Sequence, residues 1–176
     1  MATRKPKQNA ITLLKADHRK VEELFEKYEK AKGKKAATAQ KICMELIVHT
    51  TIEEELFYPA CEEAGVEEDL LDEGFVEHDG AKVLIAELRE GSPDDDFYDA
   101  KVKVLSERIE HHVNEEEQRD DMFAQAKASG MDLEVLGEQM AARKEELMAE
   151  IKASGLPAPT TLTMKNAEIQ RGQLAQ

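Results

Sequence analysis

Apolar residues recur along most of the chain at steps of three and four, the spacing that gathers them on one face of an α-helix. No segment alternates apolar and polar residues as a half-buried strand does, and no solenoid-length repeat is present. The pattern predicts five helices, at about residues 9–32, 36–58, 67–90, 95–127 and 132–153. Gly33, Pro59 and the run Gly91-Ser92-Pro93 are expected to end or bend helices. The sequence therefore predicts an all-α protein.

The connections between the first four predicted helices are short, which favours an up-down-up-down four-helix bundle over residues 9–128. An additional C-terminal helix within residues 131–154 is expected to pack across the outside or one end of the bundle. Residues 155–176 contain two prolines and no continuous apolar stripe. We therefore expect a flexible tail there, ordered only by a partner, whose removal leaves the bundle nearly unchanged.

The composition argues against two classes of partner for such a bundle, nucleic acids and membranes. Of 176 residues, 41% are apolar, and 24 basic against 38 acidic residues give a net charge of −14. This charge repels phosphate backbones and anionic lipids, which argues against nucleic-acid and membrane partners. No apolar run approaches the ~20 residues that a membrane span requires. Lys15 interrupts the apolar stretch near the N-terminus, so no signal peptide is visible.

The two cysteines are expected to remain free thiols. Cys43 and Cys61 lie on or near one predicted helix, where their separation along the axis is ~27 Å, well beyond the reach of a disulfide. Unpaired cysteines are typical of reducing compartments, so the sequence predicts a cytoplasmic location.

The histidines carry the strongest chemical signal. A single helical histidine is usually a surface residue or a hydrogen-bonded core residue, but here the apolar stripe of each bundle helix contains one. The four stripes are Ile11-Leu14-His18-Val21-Phe25, Ile42-Leu46-His49-Glu53-Leu56, Leu71-Gly74-His78-Ala81-Ile85-Leu88 and Val102-Leu105-Ile109-His112-Glu116. Every helix of the bundle thus places a histidine inward, and two helices add a glutamate one turn later.

Two inward glutamates with no lysine or arginine on their stripes require a cation, because a buried carboxylate costs several kcal/mol unless it is paired. The spacing of four residues aims His49 and Glu53 at one point, and likewise His112 and Glu116. Four imidazoles and two carboxylates exceed the needs of one tetrahedral zinc ion and favour two ions bridged by carboxylates. Iron is the first choice and manganese the second, while zinc would fill the site without redox chemistry.

The adjacent residues His111 and His112 cannot both face this centre, because neighbours on a helix point ~100° apart. His112 continues the apolar stripe and reaches Glu116 one turn later. His111 pairs with Glu115 at the same spacing, on a stripe that is mostly polar. The sequence therefore predicts His112 as the metal ligand and His111 as a neighbour of the site.

These elements, in this order, resemble the hemerythrin-like HHE cation-binding family. Its signature is a histidine on helix one, His-x-x-x-Glu on helix two, a histidine on helix three and His-x-x-x-Glu on helix four. The matching stretches are DHRKVEELF, HTTIEEELFYPA, EHDGAKVL and HHVNEEE, within residues 10–125. The ferritin-type Glu-x-x-His and the zinc-protease His-Glu-x-x-His patterns are absent.

The resemblance implies a hemerythrin-like bundle that holds two iron ions without haem. Glu53 and Glu116 would bridge the ions. His18 and His49 would bind one ion, and His78 and His112 the other. Oxygen-carrying relatives have a second histidine one turn from the third-helix histidine. Here those positions are Gly74 and Lys82, so a carboxylate, a tyrosine or water is expected to complete the second iron.

Such a centre is expected to bind or process O₂, peroxide or nitric oxide rather than to transport oxygen in bulk. The enzymatic hypothesis is catalase-like turnover of peroxide. The non-enzymatic alternative is an iron-binding or iron/oxygen-sensing module that signals through the C-terminal helix, with a protein partner on residues 131–176. Gas evolution from added peroxide distinguishes the two.

Overall fold

The computed structural model describes residues 9–33 and 35–165. Seven helices are present in these ranges: α1 (Ala10–Lys30), α2 (Lys35–Ile52), α3 (Tyr58–Glu63), α4 (Glu68–Glu90), α5 (Tyr98–Glu117), α6 (Met122–Ala128) and α7 (Leu133–Ser154). A π-helical turn, Glu53–Phe57, joins α2 to α3 without a break. The described residues contain no strand, so the predicted all-α class is confirmed.

The bundle is a closed ring of α1, α2, α4 and α5, in which each helix packs against the next and α5 returns to α1. Helix α7 lies across α1 and α2, on the outside of the ring, which is one of the two positions expected for it. None of the helices among the described residues is long and apolar enough to cross a membrane.

The apolar core is divided in two by a layer of buried polar residues. One cluster surrounds the segment from Val21 to Tyr28 of α1, and the other surrounds Ala10 to Leu14 at the start of that helix together with α3, α6 and α7. Asp17 and His18 fall between the two clusters, and so does His49 on α2. Cys43 and Cys61 are free, as predicted, and both are buried, one in each cluster.

The single helix predicted over 95–127 is wrong: the chain forms α5 and α6, separated by residues 118–121. Gln118 is extended, and Asp120 has a φ of 78°, a left-handed conformation that aspartate tolerates better than most residues. The break turns α6 back, so that the Phe123 ring stacks on His18 with 5.9 Å between ring centroids. Helix α5 also begins later than expected, at Tyr98.

The segment from Leu156 onward contacts the bundle although it has no helix. The Leu156 carbonyl accepts a hydrogen bond from Arg89 Nε at 2.8 Å. The fully buried carboxylate of Asp79 accepts the backbone N–H groups of Leu162 and Thr163 at 2.9 and 2.6 Å, and the Thr163 hydroxyl at 2.7 Å. Polarity along the sequence did not predict this attachment. Residues 166–176 of the expected tail lie outside the described residues.

Candidate metal centre

Four buried imidazoles meet in the middle of the bundle, one from each helix of the ring. His18 and His49 face each other with 3.2 Å between their Nε2 atoms. His78 and His112 do the same at 3.3 Å. All four side chains lie within the polar layer between the two apolar clusters. The neighbouring His111 lies outside this group, with 64% of its side chain exposed.

Two glutamates connect the histidine pairs. Glu53 Oε2 lies 3.2 Å from Nε2 of His49 and 3.2 Å from Nε2 of His78. The carboxylate of Glu116 lies 3.3 Å from His18 Nε2 and 3.6 Å from His112 Nε2. Each glutamate therefore touches one histidine of each pair. The structure brings all six predicted site residues together.

The π-helical turn adds a residue that the regular helical period does not place in the site. The Tyr58 N–H donates to the Glu53 carbonyl across this wider turn. The Tyr58 hydroxyl then donates to Glu116 Oε1 at 3.2 Å and lies 3.3 Å from His78 Nε2. It stands on the side of the second histidine pair, where the sequence analysis expected a carboxylate, a tyrosine or water. π-Helical turns of this kind are frequent at functional sites.

Each imidazole turns its other nitrogen toward a carboxylate. The Nδ1 atoms of His18, His78 and His112 lie 2.7, 2.9 and 2.7 Å from Glu117, Glu54 and Glu77. His49 Nδ1 lies 3.7 Å from Asp17. For His18, His78 and His112, such partners keep the proton on Nδ1 and leave the Nε2 lone pair directed inward, the form in which imidazole binds a metal. The separation of His49 from Asp17 is too long for a hydrogen bond.

These four carboxylates form a circular pattern. Each stands beside a site residue in the sequence and reaches the histidine of the next helix around the ring. Asp17 on α1 faces His49 on α2, and Glu54 faces His78 on α4. Glu77 on α4 faces His112 on α5, and Glu117 on α5 faces His18 on α1. From the sequence, the acidic runs Glu53–Glu55 and Glu115–Glu117 predict one ligand each and leave Glu54 and Glu117 as solvated or supporting residues. Nothing in the sequence pattern singled out Asp17 and Glu77. Their signal is an acidic residue directly adjacent to one inward residue on each helix of the ring.

The electrostatics of the centre suit a cation. Burial, followed by the charge of Glu116, raises the pKa of Glu53 well above its usual value. Burial also opposes ionisation of Glu116, but His112 and His18 outweigh it and lower its pKa to about 2. Burial and then the neighbouring His112 lower the pKa of His78 well below the ordinary range. A metal ion would favour the ionised form of both glutamates, because its charge would offset the burial that opposes their ionisation.

The buried carboxylate oxygens also indicate a cation site, because several of them lack hydrogen-bond partners in the part of the chain that the structure describes. Within the described residues, neither oxygen of Glu53 has a hydrogen-bond partner, nor does Glu116 Oε2. Buried polar atoms are seldom left in this state unless a ligand satisfies them. The donors form two groups that share Glu53: His18, His49, Glu53 and Glu116 in one, and Glu53, His78 and His112 in the other. Ligand atoms lie within 4.8 Å of one another inside each group. Imidazole and carboxylate donors at these distances fit a transition-metal ion.

Apolar side chains surround the site and exclude bulk water. Phe123 covers His18, and Phe57 meets Phe123 edge to face with 5.6 Å between centroids. Ile52 and Val113 are both buried and adjoin the inward residues Glu53 and His112 in the sequence. The centre is therefore enclosed.

The bundle and its buried histidine–glutamate cluster define a helical cation-binding protein. The sequence model of the hemerythrin HHE cation binding domain matches residues 9–124, more than half of the chain. The chain therefore belongs to the hemerythrin HHE cation-binding family, as its motifs predicted. Among solved structures, it is similar to a hemerythrin HHE cation binding domain-containing protein from Mycobacterium kansasii, with a TM-score of 0.70 and 28% identity. That match covers 84% of this chain and 94% of the other chain. A comparison with curated proteins gave no significant match.

Proposed function

We propose that this chain holds a non-haem di-iron centre that binds or processes O₂, peroxide or nitric oxide. His18 and His49 bind one iron, His78 and His112 bind the other, and Glu53 and Glu116 bridge the two. The observation that carries this proposal is the position of the glutamates, each of which touches one histidine of each pair. Manganese or zinc suits the same donors, but zinc brings no redox chemistry.

The proposed ligand set leaves room for a small molecule. Two imidazoles and two carboxylate oxygens give each ion four protein donors, and iron sites of this kind keep positions open for other ligands. When bound, iron supplies reversible electron transfer to a diatomic molecule or peroxide. Tyr58 presents its hydroxyl at the second pair, where it donates its one proton to Glu116. Rotation of the O–H bond would direct the same proton to a bound ligand instead.

The first function to test is catalase-like turnover, in which one hydrogen peroxide is oxidised to O₂ while another is reduced to two waters. Iron-loaded full-length protein is mixed with peroxide, and O₂ release is followed with an oxygen electrode. We expect release well above that of the same iron concentration in buffer, and its loss in His112→Ala. An intact di-iron centre without O₂ release would reject the enzymatic version of the proposal.

A second candidate function is a sensor that signals through α7, and a direct contact favours it. Lys144 on α7 forms an ion pair with Asp17, the carboxylate that faces His49 Nδ1. Arg143 on the same helix binds Glu55 of the π-helical turn at 2.7 Å. A change in the position of His49 or of the turn therefore reaches α7 through two side chains.

Hydrogen exchange measures this coupling. We expect α7 amides to exchange at a different rate in the oxidised and reduced iron-loaded protein, and Lys144→Ala to reduce the difference. Identical exchange of α7 in both states would reject the sensor.

A further inference from the structure

A second histidine–carboxylate group lies outside the centre, on the surface between α4 and α5. His111 Nε2 lies 3.4 Å from Glu77 Oε1 and 3.1 Å from Glu115 Oε1. Their ligand atoms all lie within 4.8 Å of one another. Glu77 and Glu115 are only partly exposed, at 20% and 32% of their side chains, while the His111 side chain is mostly exposed.

A narrow cavity is lined both by the two carboxylates of this group, Glu77 and Glu115, and by His112 and Glu116 of the buried centre. Its volume is about 20 Å³, room for roughly one water molecule or ion. The outer wall consists of Glu73, Glu77 and Glu115, and the inner wall of His112 and Glu116. Glu116 is 98% buried, and its Oε2 has no hydrogen-bond partner within the described residues. This unpartnered oxygen belongs to the centre, where it lies 3.3 Å from His18 Nε2. A cation that passes through the cavity would therefore meet an unsatisfied carboxylate oxygen of the centre.

Glu77 belongs to both ends of this passage. Its Oε1 faces His111 on the surface, and its Oε2 lies 2.7 Å from His112 Nδ1. Arg108 is the nearby cation that lines the surface groove beside His111. Its guanidinium is directed toward Gly80, where an added Cβ would lie 2.9 Å from Nη1. In the described part of the chain it forms no ion pair with the carboxylates of the group.

We propose that Glu77, His111 and Glu115 bind one divalent cation, and that this surface site delivers metal through the cavity to the centre. One imidazole and two carboxylates are donors that Fe²⁺, Mn²⁺ and Zn²⁺ accept, with the remaining positions taken by water. Glu73 adds a further negative charge along the passage. The surface site stands independently of the proposed function, whereas the delivery role depends on a metal centre within the bundle.

Binding at the surface site is tested on the full chain with the centre already filled by oxidised iron. Zn²⁺ is added, unbound metal is removed by desalting, and both metals are counted by mass spectrometry. We expect one zinc per chain beyond the iron, and its loss in His111→Ala and in Glu115→Gln. Glu110→Gln is the matched control, because Glu110 is exposed on the same helix outside the group. Glu77 is left unchanged, because it also contacts His112.

Delivery is tested by the rate of loading. Metal-free full-length protein is mixed anaerobically with Fe²⁺, and filling is followed by quenching samples and measuring retained iron. We expect His111→Ala and Glu115→Gln to fill at least several-fold more slowly than wild type and Glu110→Gln, but to reach the same final content. Absence of extra zinc in the wild type would overturn the surface site, and equal filling rates would overturn the delivery role. Failure of every variant and the wild type to retain iron would instead count against the di-iron centre.

Discussion

At this centre, neighbouring residues on one helix have different roles: one faces the metal site and the other contacts a histidine on the next helix. Residues next to each other point ~100° apart, so when one faces the bundle axis the other faces the adjacent helix. His18 points inward, and the preceding Asp17 turns toward His49 on the next helix. The same relation places Glu54 beside Glu53 and Glu77 beside His78. Replacing one acidic residue of such a pair therefore affects either the inward metal-binding atoms or the orientation of the imidazole on the next helix.

The run Glu53, Glu54 and Glu55 tests this division at the scale of one residue. Glu53→Gln should lose most of the metal, since only Glu53 contacts both histidine pairs. Glu54→Gln should weaken metal binding on the order of 10- to 100-fold, because Glu54 holds His78 Nδ1 from outside. Glu55→Gln should retain full metal content, because Glu55 contacts Arg143 on the surface. Retained metal and chelator competition measure the three effects, and equal losses would contradict the register.

The two adjacent histidines give a second comparison. His112→Ala should lose at least one iron and the near-ultraviolet charge-transfer absorption, because His112 Nε2 faces the centre. His111→Ala should retain both, since its ring is mostly exposed and contacts Glu77 and Glu115. Iron analysis with an absorption spectrum checks both variants. The opposite order would move the inward role from His112 and Glu116 to His111 and Glu115.

At the scale of elements, α4 passes close to the start of α3 at Gly74. A Cβ at this position would lie 2.7 Å from the Tyr58 hydroxyl oxygen, which itself contacts Glu116. Gly74 thus permits the approach that brings Tyr58 into the site. The helix continues through Gly74 without a break, so this glycine serves packing rather than bending.

Gly74→Ala should lower the free energy of unfolding by about 1–3 kcal/mol, the usual cost of overpacking. In a Tyr58→Phe background the same change should cost less, because the nearest clashing atom is gone. Urea unfolding of the four proteins, each loaded with iron, gives the coupling. Equal costs of Gly74→Ala in both backgrounds would show that Tyr58 does not occupy the described position.

The polar sequence of the C-terminal segment predicted that its removal leaves the bundle nearly unchanged. Its contacts with the bundle predict instead that removal lowers stability. A chain ending at Gly155 loses the hydrogen bonds that Leu162 and Thr163 donate to the buried Asp79 carboxylate. We expect a loss of about 2–4 kcal/mol. Hydrogen bonds to a charged group contribute roughly 1.5–3 kcal/mol each, and the conformational entropy that the segment regains offsets part of their sum. Thermal unfolding should shift down by several degrees. A chain ending at Lys165 is the control, and equal melting temperatures of the two truncated chains would contradict the contact.

The sequence predicted the elements whose pattern follows the helical period and missed those that depart from it. His49 and Glu53 keep the spacing of an α-helix, so their shared direction was visible. Tyr58 was not placed, because the π-helical turn shifts the register by one residue and no residue type marks that turn. The break before α6 was missed because its left-handed residue is Asp120 rather than glycine. The contacts of Asp79 depend on the position of Leu162 and Thr163, which are distant in the sequence. Helical periodicity does not predict where such a segment lies.

At the scale of the whole molecule, the polar layer that separates the two apolar clusters determines how stability depends on metal. Glu53 and Glu116 lie fully within the core, and ionised carboxylates there are costly unless a cation compensates them. Removing the metal should therefore lower the melting temperature and make it dependent on added Fe²⁺ or Mn²⁺. Calorimetry with and without a chelator measures this shift. A melting temperature unchanged by chelation would mean that the cluster does not hold metal in the folded state.

The most direct test of the di-iron assignment is the metal content of the full chain together with its absorption spectrum. The protein is expressed with iron, purified, and measured before and after reduction. We expect about two irons per chain and near-ultraviolet absorption that disappears on reduction. Fully folded protein that retains no iron, manganese or zinc under reducing conditions would contradict it.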